Sequence, residues 1–571
     1  MPKLFSSKNL QANRMGKALW SLLYLFAFLI HTPIIANATE GLVVSEHQLA
    51  SAAGAAMLKK GGNAIDAAVA VGYALAVVAP ASGNIGGGGF MTIHLAGNKN
   101  VFINFREQAP LAAHADMFVD PKGKVRPALA TQGYLAVAVP GTVLGLDTAL
   151  TLYGTLPRSV VMQPAIRLAT EGFAVTPDLA QQFKNDVTFF RGQPNIAAIF
   201  LNKGQPYLAG ECLRQTNLGR TLTLIAKQGP LVFYQGEIAQ AVVAASKTHG
   251  GLLTLADFAR YTIQLKSPLT CQYRGYTLIT APLPSSGGIV LCEMLQILAN
   301  FPLQQLGFHS YKTLQYTIEA MRYGFHDRNK LGDPDFVASP FEQFISKQYG
   351  ATVAFDIEQQ INRPALSLPF ASEHPETTHY SVVDTKGNAA SVTYTLNGRY
   401  GAGVIAGNTG FFLNDEMDDF SAGRNIANQF GLLQSNLNRI QPGKRPLSSM
   451  TPTIVLKNNK LFLVIGSPGG PRIITSVLLA LLHVLNDGLT IDQAVNAPRF
   501  HFQGYPSQVF LEPFAFTTFI QKQLEWRGYQ FITEAPWGAV EAIYVDPKTH
   551  QVFPGVDRRR PDGGSARVTL P

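Results

Sequence analysis

The sequence predicts an α/β protein whose strands are largely antiparallel. β-prone runs alternate with helical stretches, and turns rich in glycine and asparagine recur between neighbouring β-prone runs. The chain has 571 residues, of which 46% are hydrophobic and 15% are charged, so it can bury a large core. No repeat of fixed period divides the chain into equal units.

The N-terminal segment, residues 1–38, has the pattern of an export signal. Basic residues precede the apolar run 18–30, and positions 36–38 supply the small-x-small signature of a cleavage site. The run is too short to cross comfortably a hydrocarbon layer of about 30 Å. We therefore expect an exported protein that begins near Thr39, with the periplasm favoured. Full secretion and an uncleaved signal anchor are the alternatives.

The first elements of the mature chain are a short strand and two helices. A strand is predicted at 41–44, and the following helix ends at Gly61-Gly62, because glycines after a periodic run stop helices. Asn63 is suited to cap a second helix over 64–79. The alanine and valine content of this helix suits a buried position.

A glycine run at 86–89 precedes two β-prone runs, 90–95 and 101–105, and the second run leads into Arg106. A dinucleotide-binding loop would be followed by a helix. The strand after these glycines therefore argues against a dinucleotide site.

The middle of the chain changes character twice. Residues 140–330 are predicted to be mainly helical. The stretch 340–376 contains prolines at 364, 369 and 375, and we expect an irregular surface connection there. Strands are predicted again from 377 onward.

A β-hairpin is predicted between Thr377 and Asn397. Two β-prone runs flank a turn near Lys386-Gly387. Antiparallel pairing around that turn places Thr377 opposite a residue close to position 396. Thr395 and Asn397 would then lie beside Thr377. An ordinary threonine-rich strand pair is the alternative that the pattern leaves open.

A second candidate segment joins a strand to a helix. The apolar run 461–465 leads into a glycine-rich turn, and Pro471 is suited to begin a helix. Glycines let backbone N–H groups approach a substrate, and a helix N-terminus favours negative charge. Gly469 and Gly470 are therefore candidate donors to a tetrahedral oxyanion, where one donor typically contributes about 3–4 kcal/mol. A plain strand-to-helix turn is the alternative.

Charge and cysteine content argue against several classes of function. The net charge of +9 is a mild surplus for this length and forms no dense basic stripe, so nucleic-acid binding is not expected. Three cysteines allow at most one disulfide with one thiol left over, and no Cys/His cluster has the spacing of a zinc site. We expect no metal and no thiol nucleophile.

Several long motifs, in the right order, resemble those of the gamma-glutamyltranspeptidase family. They are Gly61–Ala68, the glycine run 86–89, Asn104–Glu107, Thr377–Asp384, Asn414–Phe420, Arg445–Met450, Gly466–Gly470 and Asn496–His501. The likeness covers nearly the whole mature chain. The resemblance implies an N-terminal nucleophile hydrolase with a four-layer αββα sandwich, built from two intertwined subunits.

Members of that family are made as inactive precursors that cut themselves before a threonine. By resemblance the cut lies between Glu376 and Thr377 and leaves a large subunit, 39–376, and a small subunit, 377–571, as a heterodimer. The freed α-amine of Thr377, a group whose ordinary pKa is about 8, can accept the proton of the neighbouring hydroxyl. No separate base and no cofactor are then required.

The resemblance also assigns the catalytic roles. Thr395 orients the hydroxyl of Thr377, and the oxyanion donors are Gly469 and Gly470. A cut one bond later would make Thr378 the nucleophile, and the pattern leaves this alternative open.

The substrate-binding residues implied by the resemblance recognise the two charged groups of an amino acid. The α-carboxylate is assigned to one guanidinium and two hydroxyls, those of Arg106, Ser448 and Ser449. The α-ammonium is assigned to one amide and two carboxylates, those of Asn397, Glu416 and Asp419. Asp418 adjoins Asp419, and on a strand only one of the two would point into the site.

The implied activity is a two-step acyl transfer on glutathione or another small γ-glutamyl compound. A γ-glutamyl ester forms on Thr377 and is then passed to water, or to an amino acid or peptide. A cephalosporin- or glutaryl-acylase-like amidase is the rival within the same fold. A non-catalytic exported binding protein is the rival outside enzymes, and the intact threonines and glycines argue against it.

Residues 424–440 correspond to a lid over the pocket of bacterial relatives. Phe430 occupies the position where those relatives typically carry tyrosine. A phenyl ring can exclude water but lacks the phenol hydrogen bond. We therefore expect a lid that closes less firmly, with more hydrolysis relative to transfer.

Overall fold

The structure, a computed structural model of the chain, describes residues 40–360, 375–423 and 426–569. The export signal predicted at 1–38 lies outside the described residues. Within them, no helix has both the length and the apolar character needed to cross a bilayer.

The strands of the described chain are, in order, β1 Glu40–Ser45, β2 Gly88–Leu95, β3 Lys99–Phe105, β4 Phe173–Ala174, β5 Leu201–Asn202, β6 Gln205–Pro206, β7 Cys212–Leu213, β8 Gln264–Lys266, β9 Leu269–Tyr273, β10 Tyr276–Thr280, β11 Pro375–Val383, β12 Ala389–Gly398, β13 Thr453–Lys457, β14 Lys460–Gly466, β15 Phe500–His501, β16 Gln508–Leu511, β17 Gln530–Thr533, β18 Glu541–Val545, β19 Val552–Gly555 and β20 Gly564–Thr569.

Two antiparallel sheets are stacked face to face. One has seven strands in the order β20-β1-β11-β12-β2-β3-β8, and the other has six in the order β19-β18-β14-β13-β10-β9. Buried side chains from both sheets fill the space between them, including Val44 and Val383 from the first sheet and Ile454 and Val464 from the second. The burial of alternate apolar residues on facing strands holds the two sheets together.

The α-helices are, in order, Gln48–Lys59, Ala64–Val78, Ala128–Thr131, Thr142–Tyr153, Arg158–Val161, Gln163–Thr170, Pro177–Asn185, Val187–Arg191, Pro194–Phe200, Thr216–Gln228, Leu231–Tyr234, Glu237–Thr248, Leu255–Arg260, Gly287–Leu298, Leu303–Leu306, Tyr311–Arg328, Phe341–Phe344, Lys347–Gln360, Arg472–Leu485, Ile491–Asn496 and Thr518–Glu525. Short 3₁₀ helices span Tyr134–Ala136, Glu416–Asp419 and Asn436–Asn438.

Helices cover the outer face of each sheet. Gln48–Lys59, Ala64–Val78 and Thr142–Tyr153 pack on the seven-stranded sheet, while Gly287–Leu298 and Arg472–Leu485 pack on the six-stranded sheet. The layers therefore run helix, sheet, sheet, helix. This order confirms the four-layer αββα arrangement implied by the sequence.

Both sheets combine strands from the two sides of the Glu376–Thr377 bond. In the seven-stranded sheet, β1, β2, β3 and β8 precede this bond, β11 contains it, and β12 and β20 follow it. In the six-stranded sheet, β9 and β10 precede it and the others follow. The two parts of the chain are therefore interleaved within each sheet.

The predicted cap at Asn63 is confirmed. Its side chain accepts the N–H groups of Ile65 and Asp66, and the Asp66 carboxylate accepts the N–H of Asn63 at 2.8 Å. This reciprocal arrangement satisfies backbone donors that would otherwise lack partners at the start of the helix. Every residue of the helix Ala64–Val78 is buried, as its composition predicted.

The prediction of an irregular connection over 340–376 is wrong for part of that stretch. A helix occupies Lys347–Gln360. The prolines at 364, 369 and 375 all come after its end, so they do not oppose a helix here. Residues 361–374 lie outside the described residues.

One disulfide joins β9 to the helix Gly287–Leu298. It links Cys271 to Cys292, whose Cα atoms are 6.1 Å apart, while Cys212 is a free, exposed thiol. The sequence allowed one disulfide without specifying the pair. The bond fastens the six-stranded sheet to the helix that covers it.

Candidate active site

The hairpin pairs Thr377 directly with Thr395. β11 and β12 run antiparallel with Thr377 opposite Thr395 and Val383 opposite Ala389. The turn therefore centres on Lys386, half a residue before the predicted centre. The expectation that Thr395 and Asn397 lie beside Thr377 is met by this register.

The Thr395 hydroxyl connects Thr377 to the peptide bond before it. Its Oγ1 lies 3.2 Å from Thr377 Oγ1 and donates to the carbonyl oxygen of Glu376 at 3.1 Å. It also accepts the N–H of Asn397 at 2.8 Å. A hydroxyl has a single proton. Because Thr395 gives its proton to Glu376, the bond between the two threonines must be donated by Thr377.

Glycines at the start of β2 allow the backbone of this strand to lie close to Thr395 on β12. Gly88 pairs with Thr395 across the sheet, and a Cβ atom at Gly87 would lie 1.9 Å from the Thr395 carbonyl oxygen. A side chain at Gly87 would push β12 away. The glycine run thus has a packing role beside the candidate nucleophile.

The neighbours of Thr377 on β11 are less suited to catalysis. Thr378 is fully buried and does not line the pocket that contains Thr377. His379 is buried between the hydroxyls of Thr393 and Ser381, and burial lowers its pKa to about 3. The imidazole is therefore neutral and bonded to other hydroxyls, so His379 is not placed to act as a base for Thr377.

Two arginines hold the side chain of Glu376. Arg399 Nη1 donates to one carboxylate oxygen at 2.9 Å and Arg560 Nη2 donates to the other at 2.6 Å. Burial alone would raise the pKa of Glu376, but Arg560 and Arg399 lower it. Asp186 in turn binds Arg399 at 2.7 Å. The residue before Thr377 is thus fixed as a charged side chain.

The segment Gly469–Gly470 follows β14 and precedes the helix Arg472–Leu485. Both glycines have positive φ angles, +130° and +55°. Within the described part of the chain, neither amide N–H donates to a backbone carbonyl. Gly470 lines the same pocket as Thr377. These amides can therefore serve as hydrogen-bond donors to an anion in the pocket.

Arg106, directly after β3, is the centre of a buried ion-pair cluster. Its guanidinium bonds to Glu416 and to Asp419, the latter at 2.5 Å, and lies 3.5 Å from Glu107. Its Nε donates to the carbonyl oxygen of Pro446 at 3.2 Å. The candidate carboxylate ligand and the candidate ammonium ligands are thus in direct contact.

Burial and charge act in opposite directions on the groups of this cluster. Burial alone would lower the pKa of Arg106, but the three adjacent carboxylates raise it. Burial raises the pKa values of Glu416 and Glu107, and Arg106 opposes that rise. An arrangement with one cation and several acids can exchange partners with a ligand that carries both charges.

The interpretation of Asp418 and Asp419 needs correction in its geometry. They lie on the 3₁₀ helix Glu416–Asp419 rather than on a strand. Asp419 nevertheless reaches Arg106, while Asp418 accepts the N–H of Gln429 at 3.1 Å. Only one of the two aspartates therefore faces Arg106, because successive residues of the helical turn point in different directions.

Ser448 and Ser449 are held by the loop before the helix Gly287–Leu298. Ser448 N–H donates to Pro284 O at 2.9 Å, and Ser286 N–H donates to Ser448 O at 2.8 Å. The Ser449 hydroxyl accepts from Arg328 Nη2 at 3.3 Å. Both serines line the pocket beside Arg106.

The segment predicted to form a lid contributes Phe430 and Leu432 to the lining of the pocket. Phe430 is buried and lines the pocket, and its carbonyl oxygen accepts from Gln503 Nε2 at 3.2 Å. Gln429 Nε2 donates to Asp415 Oδ2 at 2.9 Å. Burial raises the pKa of Asp415 to about 7. Polar contacts of Gln429 and of the Phe430 carbonyl therefore hold this segment against its neighbours.

The structure brings almost all predicted site residues to one pocket. The predicted residues that line it are Arg106, Thr377, Thr395, Asn397, Glu416, Asp419, Ser448, Ser449 and Gly470. Gly469 directly precedes the pocket-lining Gly470 in the chain, and Glu376 lines a second pocket. In the described residues, no group of three or more His, Cys, Asp or Glu side chains could hold a metal ion.

Sequence reasoning missed several residues that support the pocket. Glu107 and Asp415 were not assigned a role, although the sequence held a signal for each. Glu107 directly follows Arg106, and Asp415 directly precedes Glu416. Arg328 and Gln503 had no such signal, because each reaches the site from an element distant in the sequence.

In comparisons with known proteins, the chain matches a family model, curated relatives and solved structures. The family model described as Gamma-glutamyltranspeptidase matches residues 50–567. A glutathione hydrolase proenzyme from Pseudomonas sp. (strain A14) is 49% identical over 514 residues, which is 89% of each chain. The crystal structure of a cephalosporin acylase from Bacillus halodurans matches with a TM-score of 0.82 at 29% identity, over 93% of this chain and 96% of that one. The crystal structure of Helicobacter pylori gamma-glutamyltranspeptidase matches with a TM-score of 0.54 at 42% identity, over 55% of this chain and 90% of that one.

Proposed function

This chain belongs to the gamma-glutamyltranspeptidase family, and from that premise we propose that its reaction takes place at Thr377 once that residue has become an N-terminus. The chain is an enzyme with the activity of a glutathione hydrolase and gamma-glutamyltransferase. The proposal concerns which residues carry the reaction. The observation that carries it is the contact between the hydroxyls of Thr377 and Thr395 inside a pocket with charged groups of both signs.

The first step is a break of the chain between Glu376 and Thr377. Thr377 Oγ1 attacks the carbonyl carbon of Glu376, whose oxygen already accepts a hydrogen bond from the Thr395 hydroxyl. The C–N bond breaks, the amine of Thr377 takes the proton, and water then hydrolyses the ester that remains. The products are a large subunit, 39–376, and a small subunit, 377–571, which stay together as a heterodimer.

The mature site then transfers an acyl group in two steps. The free α-amine of Thr377 accepts the hydroxyl proton while Oγ1 attacks the γ-carbonyl of the substrate. The amides of Gly469 and Gly470 donate to the oxyanion that forms. The leaving amine departs with the proton, and water or an amino acid or peptide releases the γ-glutamyl group from the ester.

Recognition of the γ-glutamyl group uses both charges of its amino-acid head. The α-carboxylate binds to the guanidinium of Arg106 and to the hydroxyls of Ser448 and Ser449. The α-ammonium replaces Arg106 as the partner of Glu416 and Asp419, with the Asn397 amide beside them. Two charges of opposite sign enter together, so the net charge of the buried cluster does not change when the substrate binds.

The acids in the pocket favour a γ-glutamyl group over a glutaryl group. A glutaryl group has the same carboxylate but no ammonium, so Glu416 and Asp419 would gain no partner from it. Comparing kcat/KM for a γ-glutamyl anilide and a glutaryl anilide separates the two activities. The acylase activity would be favoured by equal or higher kcat/KM for the glutaryl compound.

Export is the remaining part of the proposal. It rests on the basic and apolar pattern of residues 1–38 and on the cleavage signature at 36–38. Fractionation of the producing cells, with mass analysis of the N-terminus, tests it. A protein that starts at Met1 and stays with cytoplasmic markers would contradict it.

Three variants at adjacent residues test the role of Thr377. Thr377→Ala should remain a single chain and release no glutamate from glutathione, whereas Thr377→Ser should retain both reactions at reduced rate. Thr378→Val, a buried neighbour that does not line the pocket, is the matched control and should be cleaved normally. Cleavage and glutamate release by Thr377→Ala would refute the proposal.

A further inference from the structure

Arg328 is a buried cation close to the pocket that the reaction described above does not use. It ends the helix Tyr311–Arg328, and 2% of its surface is exposed. Burial lowers the pKa of its guanidinium to about 10, although Asp419 opposes the change. The side chain therefore retains its charge at neutral pH inside the protein.

The guanidinium of Arg328 bonds directly to Ser449 and reaches Ser448 through Ser286. Its Nη2 donates to the Ser449 hydroxyl at 3.3 Å. Its Nε donates to the Ser286 hydroxyl at 3.0 Å, and Ser286 in turn donates to the carbonyl oxygen of Ser448 at 2.6 Å. One side chain thus fixes the backbone of Ser448 and the hydroxyl of Ser449.

Arg328 differs from Arg106 in its partners. Arg106 is bonded to carboxylates, whereas no carboxylate of the described residues lies within ion-pair distance of Arg328. A buried charge that meets only hydroxyls is costly unless a charge of opposite sign enters. Arg328 can therefore stabilise an anion that binds on the side of the pocket formed by Ser449.

We propose that Arg328 is a positioning residue that directs the hydroxyls of Ser448 and Ser449 toward the carboxylate of the substrate and supplies part of the positive charge that binds it. This inference rests on the proposed function. Because Ser449 accepts a hydrogen bond from Arg328, its own proton is left for another acceptor. The Ser448 hydroxyl likewise accepts the N–H of Met450 at 3.1 Å and keeps its proton free.

The role predicts a selective effect on one half of the substrate. Loss of Arg328 should weaken binding of the carboxylate and leave binding of the ammonium unchanged. It should raise KM more than it lowers kcat, because the reacting amide is distant from the head group. A merely structural role would affect ligands with either charge equally.

The experiment uses the processed, full-length enzyme and the variant Arg328→Gln. KM and kcat are measured with a γ-glutamyl anilide, and inhibition constants are measured for two small amides. Glutaramate has the carboxylate without the ammonium, and γ-aminobutyramide has the ammonium without the carboxylate. We expect the glutaramate constant and KM to rise about tenfold, since hydrogen bonds to charged groups are stronger than neutral ones, with γ-aminobutyramide unchanged.

The controls separate folding, the inference and the proposed function. Arg322 lies on the same helix and pairs with Glu319. Arg322→Gln is the control variant and should change none of these constants. Arg328→Lys keeps the positive charge but lacks the forked guanidinium, so it should retain part of the glutaramate affinity. This variant serves as the test if Arg328→Gln is not cleaved into subunits. Equal loss for both amides, or no loss for either, overturns the inference. A wild-type enzyme that does not cleave the anilide overturns the proposed function instead.

Discussion

Replacing Thr395 by valine should slow self-cleavage far more than it destabilises the protein. Valine keeps the shape of threonine but removes the hydroxyl, and with it contacts of 3.2 Å to Thr377, 3.1 Å to the Glu376 carbonyl and 2.8 Å to the Asn397 amide. The Glu376 contact is made to the oxygen that becomes negative during the attack. Losing one such donor typically lowers a rate by about 100- to 1,000-fold.

The cost in stability should be smaller and of a different origin. The Asn397 N–H loses its hydroxyl partner inside the protein, and an unsatisfied buried group costs about 1–3 kcal/mol. We therefore expect Thr395→Val to fold as a precursor and to accumulate uncleaved. The assay is the time course of the single chain on a denaturing gel after purification, with intact-mass analysis at each time.

Thr393→Val is the matched control for this experiment. Thr393 lies two residues earlier on the same strand, and its buried hydroxyl contacts His379 Nδ1 at 2.8 Å. The substitution should cost similar stability and leave the cleavage rate within a few-fold of wild type, about the size expected for an indirect effect. The reasoning is refuted if Thr395→Val is cleaved at the wild-type rate, or if both variants are slowed equally.

Three further outcomes follow from the structure. Phe430→Tyr should raise the ratio of transfer to hydrolysis, measured as γ-glutamyl product against free glutamate, because a phenol can add a hydrogen bond in the pocket that Phe430 lines; an unchanged ratio would contradict this. Asp415→Asn should flatten the pH dependence of the melting temperature, since burial raises the folded pKa of Asp415 to about 7 from 3.8. The native state then binds the proton more tightly, so the stability that this group contributes is present at low pH and is lost as the pH rises from about 4 to about 7; a wild-type slope in the variant would refute it. Cys271→Ser should lower the free energy of unfolding by about 2–4 kcal/mol, whereas Cys212→Ser, which removes a free exposed thiol, should have no effect.

The catalytic hairpin was predictable because its signal is local. The turn near Lys386 and the alternating residues on both sides define which residues can face each other, and the error was half a residue. The cap at Asn63 and the helix after Pro471 were local in the same sense, since each depends on a few consecutive residues. Patterns of this kind determine short-range geometry without information about the rest of the fold.

The support behind the pocket was not predictable in this way. Arg328 lies 121 positions before Ser449, and nothing in its helix indicates that the side chain turns toward that serine. Gln503 reaches the carbonyl of Phe430 across 73 positions. The 3₁₀ turn that contains Asp418 and Asp419 has no distinctive sequence pattern, so it was not predicted. Such contacts depend on how the two sheets and their helices are stacked.

The interleaving of strands around the Glu376–Thr377 bond, the proposed cleavage site, would make maturation a one-way process. An uncut chain can refold by itself, but after the cut each sheet would have to reassemble from two separate polypeptides, and that reaction depends on their concentration. Once cleaved, the enzyme persists through the height of its unfolding barrier and not through a reversible balance with the unfolded state. The lifetime of the cleaved enzyme then depends on its unfolding rate, because the unfolded subunits are no longer joined by the peptide bond that linked them during folding.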